Sequence, residues 1–327
     1  MLTATEIRLP ANGVRSLVWD GESVVDWVSG GKRYRLSGDI VSASVRYAYR
    51  FDAAVSLVDS NFSVIYTRFG TKGLLLNEGR VVRELNRSFY HADVYEYPIV
   101  LFRLPSGREV VAHCPDDYCR LDIEDLATGE VLTRSNSRKP SDIFHSRLSA
   151  SPNGRFLVSS GWLWHPLDSV RGYDVVAALE DPTHLDGAGI GLDAFAEESS
   201  STFFRDGRLA VALKGDIDSD EGPTSQGELR TVVLGDFSET TVVSPVGRLG
   251  TIAAVGTGHV LALYEHPRLI DVHTGIEVLS WPHINSGTQT SSIVMSEMSM
   301  PVTAVDTGGR RFAIADADGI TVIQLHG

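Results

Sequence analysis

A phrase that joins two short apolar strands through a turn ending in Gly-Arg recurs along this chain. It occurs at Leu148–Val158 (LSASPNGRFLV), at Phe203–Val211 (FFRDGRLAV) and at Val305–Ile314 (VDTGGRRFAI). The glycine can adopt the positive φ that a tight hairpin requires. Self-similarity of this kind is the sequence signature of a repeat architecture.

A second phrase, a strand followed by a Thr-Gly turn and another strand, follows the first one. It occurs at Ile123–Leu132 and Leu269–Leu279, and more loosely at Asn77–Val82. The two phrases in series make four antiparallel strands, which is one blade of a β-propeller. We count seven units, at roughly 3–42, 43–90, 91–140, 141–195, 196–246, 247–286 and 287–327. Their mean length of about 47 residues suits four-stranded blades.

The sequence therefore predicts an all-β fold, a single β-propeller domain over residues 1–327 with seven four-stranded antiparallel blades. Six or eight blades are the alternatives, because the first two units diverge from the others. The last unit supplies only three strands, near Val302–Asp306, Arg311–Asp316 and Gly319–Leu325. The segment Thr3–Leu9 precedes the first inner strand, and we expect it to join the last blade. That pairing would close the ring and hide two open sheet edges.

The stretch Ser151–Gly161 (SPNGRFLVSSG) resembles the "SPDGR-x-L" stretch that joins the first two strands of a blade in WD-repeat-like bacterial β-propellers. Trp-Asp occurs only at Trp19-Asp20, and Gly-His only at Gly258-His259, so the signature of true WD repeats is not present. The resemblance implies a rigid platform that binds other molecules, although a fold alone does not determine function.

Composition excludes several classes of protein. The net charge of −13 disfavours a nucleic-acid binder, which needs a concentrated basic surface. The sequence contains no run of about 18 apolar residues, so we expect no membrane-spanning helix. The first residues do not have the pattern of a secretory signal. Two cysteines, Cys114 and Cys119, fit a reducing compartment. We interpret them as reduced thiols across a hairpin tip, with a local disulfide as the alternative, and expect a cytoplasmic protein. Only four of the 29 basic residues are lysine, which suggests a bacterial source.

The candidate partner-binding residues lie at the end of one strand and in the long excursion that begins after it at His165-Pro166. Trp162 and Trp164, at i and i+2, face the same side of a strand, and we expect at least one of them to be buried. His165, Arg171 and Tyr173 follow along the same excursion, and exposed tryptophans are common anchors of protein interfaces. After Tyr173, the segment Asp174–Pro182 predicts either a short helix capped by Asp174 or a strand.

An acidic loop gives the candidate metal site. Asp216, Asp218 and Asp220 alternate along residues 216–222, an arrangement that calcium prefers, although the loop departs from the EF-hand pattern. A solvated loop without a metal is the alternative. We expect no other cofactor, and no common catalytic motif for hydrolases, zinc proteases or nucleotide-binding enzymes occurs.

These observations predict a non-catalytic platform that binds a protein or peptide, as a monomer or as a subunit of a complex. The alternative is a calcium-dependent, hydrolase- or lactonase-like enzyme or a small-ligand binder that uses the central channel of the ring. Arginines could line such an axis and bind anions, but the Gly-Arg turns place many of them at solvent-facing corners.

Overall fold

Strands account for nearly all regular structure in the chain. The computed structural model describes residues 2–42, 45–164, 167–190, 194–214, 227–235, 238–293, 300–306, 308 and 310–327. The strands form seven antiparallel sheets, and six of the sheets consist of strands consecutive in the chain. The inner strands of most neighbouring sheets contact each other around a ring. The protein is a seven-bladed β-propeller.

The strands are numbered in chain order, beginning with β1 (Thr3–Pro10). Blade 1 contains β2 (Val18–Asp20), β3 (Ser23–Asp26), β4 (Lys32–Arg35) and β5 (Ile40–Val41). Blade 2 contains β6 (Ala53–Ser56), β7 (Phe62–Tyr66), β8 (Lys72–Asn77) and β9 (Arg80–Asn86). Blade 3 contains β10 (Ile99–Arg103), β11 (Glu109–His113) and β12 (Asp122–Asp125). Blade 4 contains β13 (Leu148–Ala150), β14 (Phe156–Trp164), β15 (Leu167–Asp174) and β16 (Ala194–Ala196).

The second half of the chain completes the ring in the same way. Blade 5 contains β17 (Glu198–Phe203), β18 (Leu209–Lys214), β19 (Glu228–Val233) and β20 (Ser238–Val243). Blade 6 contains β21 (Thr251–Val255), β22 (His259–Tyr264), β23 (His266–Asp271) and β24 (Glu277–Ser280). Blade 7 contains β25 (Thr303–Asp306), β26 (Arg311–Ala315) and β27 (Gly319–His326), with β1 as its outer strand.

The predicted seven blades are confirmed, with two local differences. In blade 3 the fourth position is taken by a single antiparallel bridge between Glu124 and Val131. The predicted unit boundary at residue 195 falls inside β16, whereas the other boundaries fall in connections between blades. No helix within the described ranges is long and apolar enough to cross a membrane.

The middle strands are apolar because each blade packs against a neighbour on both faces. Successive side chains of a strand point to opposite faces. In β11, Val110 and Ala112 pack against Leu157 of blade 4, whereas Val111 packs against Val64 of blade 2. The side chains of all three β11 residues are fully buried. The sequence of such a strand is therefore an unbroken apolar run rather than an alternating one.

The ends of the chain close the ring as predicted. β1 pairs with β27 over eight residues, from Thr3 opposite His326 to Pro10 opposite Gly319. The Arg8 Nη1 atom donates a hydrogen bond to Asp316 Oδ2 at 2.7 Å, next to this seam. The pKa of the Asp316 carboxyl is lowered to about 2, and the hydrogen bond from Arg8 is the largest cause.

Gly154 shows why the Gly-Arg turn tolerates little variation in blade 4. Its φ is +68°, and a Cβ atom there would lie 1.8 Å from the Arg103 carbonyl oxygen of blade 3. A side chain would therefore clash with the backbone of the adjacent blade as well as strain its own.

The short helix predicted after Tyr173 is present as α1 (Val175–Glu180), so the strand alternative is wrong. Asp174 Oδ1 caps it, accepting hydrogen bonds from the backbone N–H groups of Val176 and Ala177. A 3-10 helix over Pro182–Leu185 follows.

Candidate functional site

One end of the ring, which we call the upper face, gathers the longer connections between strands. Ile99 lies opposite His113 in the antiparallel pair β10–β11, so the connections 87–98 and 114–121 lie at the same end of blade 3. The connection 126–147 leads into β13 at the corresponding end of blade 4, where β14 also ends. Rigid strands thus position three loops and one hairpin side by side.

Aromatic side chains from these connections meet around Phe144. Its ring centroid lies 4.4 Å from that of Tyr118, 4.6 Å from Trp162 and 5.1 Å from both Tyr95 and Trp164. These separations are typical of favourable stacked and edge-to-face pairs. We call the whole group the aromatic cluster; it consists of Tyr90, His91, Tyr95, Tyr118, Phe144, Trp162 and Trp164.

The aromatic cluster has a buried floor and an exposed surface. Phe144 and Tyr95 are fully buried and Trp162 is 6% exposed, whereas Trp164 is 45% and Tyr90 41% exposed. The β14–β15 pairing shifts register between Trp162 and Trp164, so the two indoles separate into different environments. The expectation that at least one of these tryptophans is buried is confirmed. The neighbouring Phe89 is 85% exposed, which extends the apolar surface.

Asp142 joins two of these rings. Its Oδ1 atom accepts a hydrogen bond from the Tyr118 hydroxyl at 2.6 Å, and Oδ2 accepts one from Trp164 Nε1 at 3.3 Å. The pKa of the Tyr118 phenol is raised, mainly by burial and to a lesser extent by the hydrogen bond to Asp142. The carboxylate therefore lies at the edge of the exposed rings and holds two of them in place.

The structure separates the predicted partner-binding residues. Trp162 and Trp164 lie together, with ring centroids 5.4 Å apart. Arg171 is half-buried and donates from Nη1 to Ser141 Oγ at 2.9 Å. Tyr173 is 1% exposed and packs in the core between blades 3 and 4, away from the surface. His165 lies outside the described residues, as do all three aspartates of the predicted calcium site: Asp216, Asp218 and Asp220.

Sequence reasoning missed most of the aromatic cluster. Tyr90, Tyr118 and Phe144 come from three different connections, and no local spacing shows that they meet. The run Phe89-Tyr90-His91 in a connection between strands was the available signal, because consecutive aromatic residues in an exposed loop have no core to fill.

A central cavity of about 340 Å³ lies on the axis of the ring. The inner strands of blades 4 to 7 line it, and its polar lining includes Arg68, Glu96, Arg147, Ser149, Thr251 and Gln289. The segment 286–293 crosses the upper face from blade 6 toward the opposite side. There, Glu96 N donates to Ser292 O at 3.2 Å, and Ser291 Oγ donates to Asp168 Oδ1 at 2.8 Å.

The Arg147 guanidinium at this cavity is held in place by its backbone conformation and its polar contacts. Its φ is +40°, its Nη2 atom donates to the Ser199 carbonyl, and Asp168 Oδ2 lies 3.6 Å away. The Nε and Nη1 atoms are buried and have no acceptor among the described residues. Over the same part of the chain, no three His, Cys, Asp or Glu side chains converge into a group that could hold a metal ion.

Asp168 makes the stability of the fold depend on pH. Burial raises the pKa of its carboxyl from 3.8 to about 6, so the folded state holds this proton more tightly than the unfolded state. The stabilisation from the proton is complete below about pH 4 and is lost as the pH rises through 6. Between these values we expect wild type to lose roughly 3 kcal/mol relative to Asp168→Asn. Urea unfolding of both proteins across the range measures it, and a difference independent of pH would contradict it.

Neither profiles of known protein families nor a search of curated proteins found a match to this chain. The identification of the fold therefore rests on the observed sheets and their closure.

Proposed function

We propose that this protein is a non-catalytic scaffold whose aromatic cluster binds a segment of another protein. One observation carries the proposal: Trp164 and Tyr90 are exposed at the upper face, above the buried aromatic rings of the same cluster. Large rigid aromatic side chains lose little entropy on binding, and tryptophan and tyrosine dominate interface hot spots.

The packing of the aromatic cluster suits it to recognition. Phe144 and Trp162 form a floor with little freedom to move, and Asp142 fixes Trp164 and Tyr118 above it. A surface that is ordered before binding does not have to be ordered by its partner, which improves affinity.

The wider setting belongs to the same proposal. The resemblance of the Ser151–Gly161 stretch to WD-repeat-like propellers supports a scaffold that acts as a monomer or as a subunit of a complex. Cys114 and Cys119 are both free thiols, which agrees with our interpretation of reduced cysteines and supports a reducing compartment such as the cytoplasm.

Trp164→Ala tests the proposal. Peptides selected from a displayed random library against the wild-type protein are expected to bind Trp164→Ala at least about 30-fold more weakly, since truncation of a hot-spot residue costs about 2 kcal/mol or more. Ile276→Ala is the matched control, because Ile276 is 62% exposed in a connection of blade 6, away from the aromatic cluster. Peptides that bind wild type and Trp164→Ala equally would contradict the proposal.

A second candidate function is the binding of a small anion in the central cavity. The Nε and Nη1 atoms of Arg147, which have no acceptor among the described residues, favour it, as does the presence of a second guanidinium group, Arg68, in the lining. Ser149 and Thr251 add hydroxyl groups without a partner among the described side chains.

Thermal unfolding with added sodium phosphate or sodium gluconate, against sodium chloride of equal ionic strength, tests this candidate. At a hundredfold excess over Kd a bound anion stabilises by about 2.7 kcal/mol. We expect the rise in Tm in wild type and in the exposed control Arg35→Gln, and its loss in Arg147→Met. No rise in wild type would exclude these anions, and a rise with calcium chloride would instead support the predicted calcium loop.

A further inference from the structure

We propose that the aromatic cluster binds a cationic side chain, an arginine or a lysine of the partner segment; this inference rests on the proposed function. The exposed rings of Trp164 and Tyr90 would contact the cation, and the Asp142 carboxylate would form an ion pair with it.

The exposed rings of Trp164 and Tyr90 lack the arginine or lysine that lies over several other aromatic rings of this chain. Arg311 lies 4.2 Å over the Trp19 ring, and Arg33 lies 5.8 Å over Trp27. Such contacts are attractive because the face of an aromatic ring is electronegative. Within the described part of the chain, no lysine or arginine lies over Trp164 or Tyr90. Two exposed rings thus present faces over which no cation of the described residues lies.

The exposed charged side chains of the connections 87–98 and 114–121, which carry Tyr90 and Tyr118, are carboxylates. Asp142 is exposed and is bound only by the neutral donors of Tyr118 and Trp164. Asp93, Asp116 and Asp117 are also exposed, in the same connections that carry Tyr90 and Tyr118. None of these four carboxylates forms an ion pair with a described residue, whereas most arginines of the chain pair with an acid.

This combination selects among the possible partners. An anionic or phosphorylated segment would be repelled by four carboxylates, and a purely aliphatic one would leave them unpaired. An arginine or lysine stem can lie along the rings while its charged head reaches Asp142. Arginine suits the site best, because its planar guanidinium both stacks on aromatic faces and pairs with a carboxylate.

The test compares two probes that differ in charge: N-acetylarginine methylamide and its neutral isostere N-acetylcitrulline methylamide. The chain has five tryptophans, so the Trp164 indole N–H resonance is assigned by its absence from the spectrum of Trp164→Phe. We expect the arginine probe to shift this resonance with an affinity at least about threefold higher than that of the citrulline probe. Asp142→Asn should remove most of this preference. Glu180→Gln, a change to an exposed acid at the opposite end of blade 4, should leave it intact.

The outcomes separate this inference from the function on which it rests. Equal affinity for the two probes, no shift with either, or a preference that survives in Asp142→Asn would overturn the cationic ligand. If the displayed peptides still lose binding to Trp164→Ala, the scaffold function stands and only the chemistry of its ligand is wrong. If the peptides bind Trp164→Ala unchanged, the aromatic cluster is not the interface.

Discussion

Replacing Arg138 with methionine is expected to lower the free energy of unfolding by about 3–5 kcal/mol. The Arg138 side chain is 1% exposed and pairs with two buried carboxylates, Asp122 at 3.1 Å and Asp186 at 2.5 Å. It also donates to the Leu121 carbonyl at 2.9 Å. Methionine fills much of the volume but leaves the buried Asp186 without an ion-pair partner among the described residues, whereas Asp122 still pairs with Arg120 at 3.1 Å. A buried charge without a partner is costly. Urea unfolding measures the loss.

A surface ion pair provides the control for that experiment. Arg155 is 54% exposed and pairs with Asp174 at 3.2 Å, so Arg155→Met should cost less than about 1 kcal/mol. The double change Arg138→Met with Asp186→Asn should recover part of the loss, because it removes the carboxylate that Arg138→Met leaves without an ion pair. Equal losses for Arg138→Met and Arg155→Met would show that the buried network contributes no more than a surface pair.

Leu9→Ala is expected to destabilise the protein by about 2–5 kcal/mol. Leu9 lies in β1, is 2% exposed, and packs between Val24 of blade 1 and Val322 of blade 7. The substitution removes apolar contacts on both sides of the seam that closes the ring, and the paired strands leave little room for the cavity to collapse. Denaturant unfolding followed by tryptophan fluorescence measures the change.

The matched control lies in the same strand. Thr3 is exposed at the other end of β1, so Thr3→Ala should change the free energy of unfolding by no more than about 0.5 kcal/mol. If Leu9→Ala behaved like Thr3→Ala, the closure of the ring through β1 would not contribute to its stability.

The repeats and the closure could be predicted from the sequence because both depend on local patterns. The hairpin at Gly154 requires a residue that tolerates positive φ, and the three strands of the last unit require a fourth from elsewhere. The helix after Tyr173 follows similarly from its cap at Asp174 and its stop at Asp181-Pro182.

The site could not be predicted in the same way, because it is assembled from residues distant in the chain. Phe144 meets Tyr90, 54 positions earlier, only because blades 3 and 4 are adjacent in the ring. The predicted excursion after Trp164 is wrong, because residues 167–174 form strand β15. Tyr173 is only nine positions from Trp164, yet β15 carries it to the other end of the blade and into the core. Spacing along one strand says which residues are near each other, but not which end or face of a blade they occupy.

The pairing of β1 with β27 has a consequence for synthesis in the cell. Residues 3–10 leave the ribosome before the blades that follow them, yet their partners at 319–326 are made more than 300 residues later. Blades 1 to 6 each take all their strands from one continuous stretch and can form as they emerge. Strand β1 must wait with an unpaired edge until β27 has been made. The seam is therefore where premature release or a pause would leave this protein most exposed to aggregation.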